Sequence, residues 1–232
     1  MAQCVFQRYE KKYLLDENTY EMLRKDLEGY MIEDGYGWHT IRNIYFDTPD
    51  NQLIRTSIEK PKYKEKFRVR CYGQPRADGN CFLEIKKKYK GLVNKRRIQL
   101  PIAEAKDYLN QGTKPVEQGQ IFREIDYFLE RYHVIPKRYI AYDRLALRGI
   151  VDEEFRVTFD KRIRSRVTDL TLFSDENTEL LLPPDMVLME VKITGAMPLW
   201  FAHILTKRGI YNTSFSKYGR FYMRGQERQN AL

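Results

Sequence analysis

The sequence predicts an α+β fold: an antiparallel β-barrel tunnel of about eight strands with a polar, cationic interior and helices packed outside. Three observations point to it. Several extended segments alternate charged with apolar residues, helical segments with one apolar stripe fall between them, and the 232 residues contain no linker or low-complexity tract, so residues 1–232 are expected to form a single domain. Successive side chains of a strand point to opposite faces. Lys66, Arg68 and Arg70 therefore share one face, and Phe67 and Val69 the other. The same alternation sets Glu84, Lys86 and Lys88 against Leu83 and Ile85, and Arg156, Thr158 and Asp160 against Phe155, Val157 and Phe159. It also sets Glu190 and Lys192 against Val187, Met189, Val191 and Ile193, while Phe6, Arg8, Glu10 and Lys12 fall on one parity. A sheet wet on one face would satisfy the alternation alone. The interspersed helices, however, need an apolar surface to cover, and the outside of a barrel supplies it. The charges then line the inside.

In chain order, residues 5–15 read as a strand, and Asp16 as the N-cap of a helix carrying Tyr20, Leu23 and Leu27 up to Gly29. Residues 41–46 form the next strand, and 47–50 a turn with Pro49 at the start of a short helix carrying Leu53, Ile54 and Ile58. Residues 64–72 and 81–89 are strands joined by a loop with Gly, Pro and Asp, and 93–100 continues the meander after Lys90 and Gly91. Pro101 opens a helix through Leu109, and 121–132 is a second, striped by Ile121, Ile125, Phe128 and Leu129. Both belong on the outside of the sheet. Residues 138–147 and 155–167 are long strands, and 186–194 is the last strong one. Pro198 then starts a helix carrying Leu199, Phe201, Ile204 and Leu205, and 211–224 is a short terminal element.

The excess of 41 basic over 32 acidic residues, a formal charge of +9, suits phosphates, nucleic acids or anionic surfaces. Same-face residues two apart on a strand lie about 6.6 Å apart, roughly two repeats of a condensed phosphate chain, so rows of Lys and Arg can grip several phosphoryl groups together. The expected ligand is a polyanion. Single-strand nucleic-acid binders set aromatic rings beside their cations, whereas Phe67, Phe155 and Phe159 lie on the opposite parity, so nucleic acid is not the expected partner. Cys4, Cys71 and Cys81 are odd in number and lack paired spacing, as buried or unreactive thiols of a reducing cytoplasm would be. His39, His133 and His203 show no ligand spacing. Without a secretory signal or a transmembrane segment, the chain is expected to be soluble and cytoplasmic.

The order of several short motifs adds a resemblance. Arg8, Glu10, Lys12 and Tyr13 are followed by Lys66, Arg68 and Arg70, by Glu84 and Lys86, and by Tyr142, Asp143 and Arg144. Arg156 to Asp160, Glu190 to Lys192, and Ser216, Lys217 and Tyr218 complete a series that resembles the VTC domain from Arg8 to Lys217. That domain is the polyphosphate polymerase of the vacuolar transporter chaperone complex, within the CYTH or triphosphate tunnel metalloenzyme superfamily. The resemblance implies transfer of the γ-phosphoryl of ATP to a growing inorganic polyphosphate chain inside a basic tunnel. It implies Lys12, Arg68, Arg70, Lys86, Arg144 and Lys217 as the catalytic, phosphate-holding residues, with Arg8, Lys66, Lys95, Arg97, Arg156 and Lys192 as further phosphate contacts. Glu190 is implied as the main ligand of Mn²⁺ or Mg²⁺, with Glu10 and Glu84 as the other carboxylates.

One departure matters. Arg8 stands where the superfamily's first strand carries another Glu, which favours a polymerase over a two-metal triphosphatase. Hydrolysis of inorganic or nucleoside triphosphate in the same tunnel, and non-catalytic polyphosphate binding, are the alternatives. The regulatory domain and membrane spans of the eukaryotic polymerase have no counterpart in these residues, which leaves coupling to transport and the identity of any protein partner open. The element bearing Ser216, Lys217 and Tyr218 is expected to close one end of the tunnel. Because like charges repel, replacing Arg68 or Arg70 by Ala is expected to weaken triphosphate binding while leaving stability unchanged or raised.

Overall fold

The computed structural model describes residues 5–116 and 119–230, with the side chains of 8–116 and 119–228. Cys4 and the Phe6 side chain lie outside the described residues. The chain runs through β1 (Val5–Asp16), α1 (Glu17–Asp26), β2 (Met31–Glu33), β3 (His39–Asp47), α2 (Gln52–Ile58), β4 (Tyr63–Tyr72), β5 (Asn80–Tyr89) and β6 (Leu92–Pro101). It continues through α3 (Ile102–Gln111), α4 (Gln120–Tyr132), β7 (Ile135–Gly149), β8 (Arg156–Arg166), β9 (Glu179–Leu180), β10 (Met186–Ile193), α5 (Leu199–Lys207) and α6 (Lys217–Asn230). The strands pair in the order β2, β7, β3, β4, β5, β6, β1, β10, β8, β9, and a further β7–β8 pairing closes the sheet. Apart from the short edge strands β2 and β9, the eight remaining strands form a closed antiparallel barrel with six helices outside, as the alternation predicts.

Each barrel strand works by its two parities. Phe67, Val69 and Cys71 of β4 and Cys81, Leu83 and Ile85 of β5 face outward into a core completed by Ala105 and Tyr108 of α3 and Phe122, Ile125 and Phe128 of α4. Burial raises the thiols of Cys71 and Cys81 to about 11 and about 12, so both stay protonated at neutral pH. On the other side, Phe155, Val157 and Phe159, with Val187, Met189 and Val191, pack against Tyr20 and Leu23 of α1 and Phe201 and Leu205 of α5. A third core departs from the alternation. Leu188 of β10 and Ile41 and Tyr45 of β3 share the inward parity of the charged rows, and they pack with Ile54 of α2 and with Phe215, Tyr218 and Phe221. One end of the lumen is therefore apolar.

Local signals account for most boundaries. Asp16 caps α1, its carboxylate accepting from the Thr19 N–H at 2.7 Å. Lys90 and Gly91, at φ +46° and +91°, make the two-residue connection from β5 to β6 that a hairpin with positive φ at both positions requires. Pro49 does not open α2. The helix starts at Gln52, and the buried Asp47 carboxylate accepts from the N–H groups of Leu53 (2.8 Å) and Ile54 (3.0 Å), doing the work a helix-start proline leaves undone. The terminal element also differs: 212–216 carries no regular structure and the helix begins at Lys217. β2 and β9 leave no signal in the sequence, because segments of three and two residues are too short to show an alternation. Among the described residues, no helix is long and apolar enough to cross a membrane.

A cationic cavity inside the barrel

The inward parities enclose a cavity of about 820 Å³. β1 contributes Arg8, Glu10 and Lys12, β4 contributes Lys66, Arg68 and Arg70, and β5 contributes Glu84 and Lys86. Lys95 and Arg97 come from β6, Arg144 from β7, Arg156 from β8, Glu190 and Lys192 from β10, and Lys217 from the start of α6. Every site residue read from the sequence lines this one space: a single parity rule places those on strands, and the start of α6 brings in Lys217.

The charges sort into three centres around four carboxylates. Glu84 is 1 % exposed and meets four cations: Arg68 Nη2 at 2.6 Å, Lys95 Nζ at 3.2 Å, Arg70 Nε at 3.7 Å and Arg97 Nη1 at 3.8 Å. Burial alone would raise its carboxyl; Arg70, Arg68 and Lys95 outweigh burial and hold it well below the usual carboxylate range. Asp160 accepts from Arg144 Nε and Nη2 at 2.6 and 2.8 Å and from Lys217 Nζ at 2.5 Å, and is held at about 2 because these two cations outweigh its burial. Sequence reasoning gave Asp160 no role. It shares the parity of Arg156 and Thr158, and it ties α6 to the barrel by orienting Lys217.

The third centre holds two carboxylates. Lys86 Nζ lies 2.5 Å from Glu10, Lys192 Nζ 3.2 Å from one Glu190 oxygen, and Lys12 Nζ 3.7 Å from the other. Burial and the neighbouring Glu190 push the Glu10 carboxyl upward, but Lys86 and Lys12 bring it below its ordinary value. Burial also opposes ionisation of Glu190, yet Lys192, Lys12 and Lys86 hold it well below the usual range. Lys66 differs from these lysines. Its Nζ donates to Ser216 Oγ at 3.0 Å, and burial together with Lys12, Lys86 and Lys64 draws its ammonium down to about 7. Burial likewise brings Lys95 and Lys192 to about 7 despite their Glu partners.

The irregular segment before α6 seats on this lining. The Thr213 N–H donates to the Lys12 carbonyl at 2.7 Å, Lys12 Nζ donates to the Phe215 carbonyl at 2.8 Å, and the Tyr218 hydroxyl donates to Asp47 at 3.0 Å. Asn212 through Arg220 border the cavity, so the Ser216-Lys217-Tyr218 element closes over it as the sequence reading expects.

Two expectations change. Aromatic rings do share the lumen: Arg68 lies 5.7 Å from the Tyr45 ring centre, Arg70 5.8 Å from that of Tyr72, and Arg144 and Lys217 5.0 and 4.3 Å from that of Tyr142. The segregation of Phe67, Phe155 and Phe159 from the cations holds on β4 and β8 but does not extend to tyrosines, whose hydroxyls suit a polar interior. Tyr72 continues the parity of Arg68 and Arg70, and Tyr142 that of Arg144, so the signal was present. Second, Arg68 and Arg70 are bound into the structure. Arg68 donates to Glu84 and to the Tyr45 hydroxyl at 2.8 Å each, and Arg70 to Asn43 Oδ1 at 2.8 Å and the Tyr142 hydroxyl at 3.0 Å. Truncating either strands buried polar partners and costs stability, contrary to the repulsion argument. That argument fits Lys66, whose polar partner is a serine hydroxyl.

Among the described residues, no three His, Cys, Asp or Glu side chains come together to hold a metal by themselves. A hard divalent cation bound partly by phosphates needs only one or two carboxylates, and the neighbouring Glu10 and Glu190 are the pair here that would fit that need. The Glu84 oxygens are already engaged by Arg68 and Lys95.

The chain is thus a closed antiparallel barrel with helices outside and Lys, Arg and Glu side chains lining its interior. The chain belongs to the VTC domain family, whose model matches residues 7–223. Among solved structures it is similar to a candidate adenylate cyclase from Bacillus halodurans, with a TM-score of 0.57 and 17 % identity over 92 % of this chain and 96 % of that one. It is also similar to a candidate adenylyl cyclase from Hippeastrum described as having a dominant triphosphatase activity, with a TM-score of 0.56 and 16 % identity over 93 % and 95 % of the two chains. At such identities the likeness concerns the fold. Comparison with curated protein sequences returns no match.

Proposed function

We propose that the cavity binds the phosphates of ATP and of inorganic polyphosphate side by side and transfers the terminal phosphoryl of ATP to the end of the polyphosphate chain. A terminal polyphosphate oxygen forms the new bond to the γ-phosphorus, the bond from that phosphorus to the β–γ bridging oxygen breaks, and ADP leaves with the electron pair. The observation that carries the reading is the surplus of Lys and Arg over Glu in one enclosed lining, which a polyanion would neutralise. Arg68, Arg70, Lys86, Arg144, Lys12 and Lys217 are assigned to hold and align the reacting phosphates, with Arg8, Lys66, Lys95, Arg97, Arg156 and Lys192 gripping phosphates on either side. Glu190 and Glu10 would hold Mn²⁺ or Mg²⁺, which supplies charge neutralisation at the transferring group. Phosphoryl transfer needs little covalent help from a protein, so alignment and electrostatics carry most of the rate.

Hydrolysis of a triphosphate in the same cavity is the second reading, favoured by the likeness to the Hippeastrum protein. Incubation of the purified protein with ATP and Mn²⁺, followed by separation of polyphosphate from orthophosphate, distinguishes the two. Lengthening polyphosphate with matching ADP supports the polymerase; orthophosphate alone assigns a triphosphatase; retained binding without turnover of any triphosphate leaves a polyphosphate-binding protein.

A further inference from the structure

A row of aromatic rings, two of which, His39 and Tyr72, border the cavity, leads outward beside two of its guanidinium groups. Tyr36 makes an edge contact with His39 at 6.0 Å between ring centres, His39 lies 6.3 Å from Tyr72, and Tyr72 lies 5.6 Å from Phe82. Cations hold the inner half of the row: Arg97 sits 4.5 Å over the Phe82 ring and donates to the Tyr72 hydroxyl at 3.3 Å, and Arg70 lies 5.8 Å over Tyr72. The outer half is open, with Tyr36 79 % and Tyr72 42 % exposed. Asp34, His39, Tyr72, Arg70 and Arg97 all border the cavity, so the row is continuous with the phosphate-holding lining.

The polar groups along the row are acceptors. His39 Nδ1 lies 3.0 Å from the Gly37 carbonyl, which can only accept; Nδ1 therefore carries the hydrogen, and Nε2 is an acceptor in the neutral ring. The Asp34 carboxylate accepts from the Tyr36 N–H at 3.3 Å and retains further lone pairs. Between Gly35 and Gly37, at φ +83° and +57°, the chain turns tightly enough to present Tyr36 outward.

Resting on the reading of the cavity as a triphosphate site, we propose that this row is the base-binding subsite for a nucleoside triphosphate carrying an amino-bearing base such as adenine. The base stacks on Tyr36 and Tyr72, its exocyclic amine faces His39 Nε2 and Asp34, and its phosphates reach inward past Arg70 and Arg97. Stacking on an aromatic ring is sequence-tolerant and strengthens binding about five- to a hundredfold per base, while an acceptor pair discriminates in favour of the amine.

Calorimetric titration of wild type and Tyr36→Ala with ATP, UTP and inorganic triphosphate tests this. Tyr36 is exposed and does not border the cavity, so its replacement leaves the phosphate lining intact. The expected result is that wild type binds ATP about fivefold or more tightly than inorganic triphosphate and more tightly than UTP. Tyr36→Ala then loses the advantage of ATP while its triphosphate affinity is unchanged. A Tyr36→Ala variant that weakens both ligands equally, or neither, overturns the subsite, and equal wild-type affinity for ATP and UTP overturns the role of the amine. Failure of wild type to bind inorganic triphosphate at all is a separate result, which removes the triphosphate reading itself.

Discussion

Glu84 and Glu190 lie in the same lining, are both buried and are both held ionised by neighbouring cations, yet their surroundings differ in kind. Glu84 is met by three guanidinium groups and one ammonium, with Arg68 in contact through both Nε and Nη2. Guanidinium forks are planar and rigid, so this carboxylate locks β4, β5 and β6 together and has no oxygen to spare. Glu190 has two ammonium partners, at 3.2 and 3.7 Å, and a second carboxylate, Glu10, close enough to repel it. Lysine is a flexible point charge that can turn toward an incoming phosphate, and under the proposed function that frees the carboxylates for a metal. On that proposal, buried carboxylates in one cavity divide between structure and chemistry according to which cations hold them.

The largest effect expected from this contrast is on stability. Glu84→Gln removes the counter-ion of four cations and should cost about 3 kcal/mol or more in denaturant unfolding, as breaking a buried ion network does. Added triphosphate should restore much of that loss, because its charge replaces the carboxylate. A variant as stable as wild type would show that Glu84 is no structural counter-ion. Glu190→Gln, by comparison, should keep the fold and lower metal-stimulated turnover about a hundredfold; intact turnover would remove Glu190 from the chemistry.

Lys66 sharpens the comparison from the other side, since its polar partner is a hydroxyl. Lys66→Met should leave the melting temperature unchanged or slightly higher while weakening triphosphate binding about tenfold. A clear drop in melting temperature with unchanged affinity would assign Lys66 to the fold. The smallest effect is a pH dependence. Lys66 sits at about 7, against 10.5 in the unfolded chain. Between those values the unfolded chain binds a proton that the folded one does not, so this lysine's contribution to stability is present above pH 10.5 and is lost as pH falls toward 7. A bound polyanion favours the ammonium, so triphosphate affinity should be level below about pH 7 and fall as pH rises above it. Lys66→Met should remove roughly one proton from the uptake measured on binding in buffers of different ionisation enthalpy. An unaltered proton count would show that Lys66 does not titrate with the ligand.

The barrel and its lining were legible because strand parity is a local property. Lys66, Arg68 and Arg70 can be placed on one face from five consecutive residues, and the apolar stripes at Ile125 and Phe128 on α4 need a surface to cover. What parity cannot show is who meets whom across the lumen. The pairing of Asp160 with Lys217, or of Lys86 with Glu10, brings together residues 57 and 76 positions apart and depends on how distant segments close around the lumen. The apolar plug escaped for a related reason: Leu188 and Tyr45 share the charged parity, and only α2 and α6 packing over one end makes their burial favourable. The bond from the Tyr218 hydroxyl to Asp47, whose carboxylate also caps α2, is likewise a contact between distant segments.

Electron paramagnetic resonance of Mn²⁺ bound with inorganic triphosphate, compared between wild type, Glu84→Gln and Glu190→Gln, bears most directly on the division of roles. With triphosphate present to support the fold, Glu84→Gln should retain the bound Mn²⁺ signal and Glu190→Gln should lose it. Loss of the signal in Glu84→Gln, with an unaltered signal in Glu190→Gln, would contradict the assignment of the metal to the Glu10–Glu190 centre.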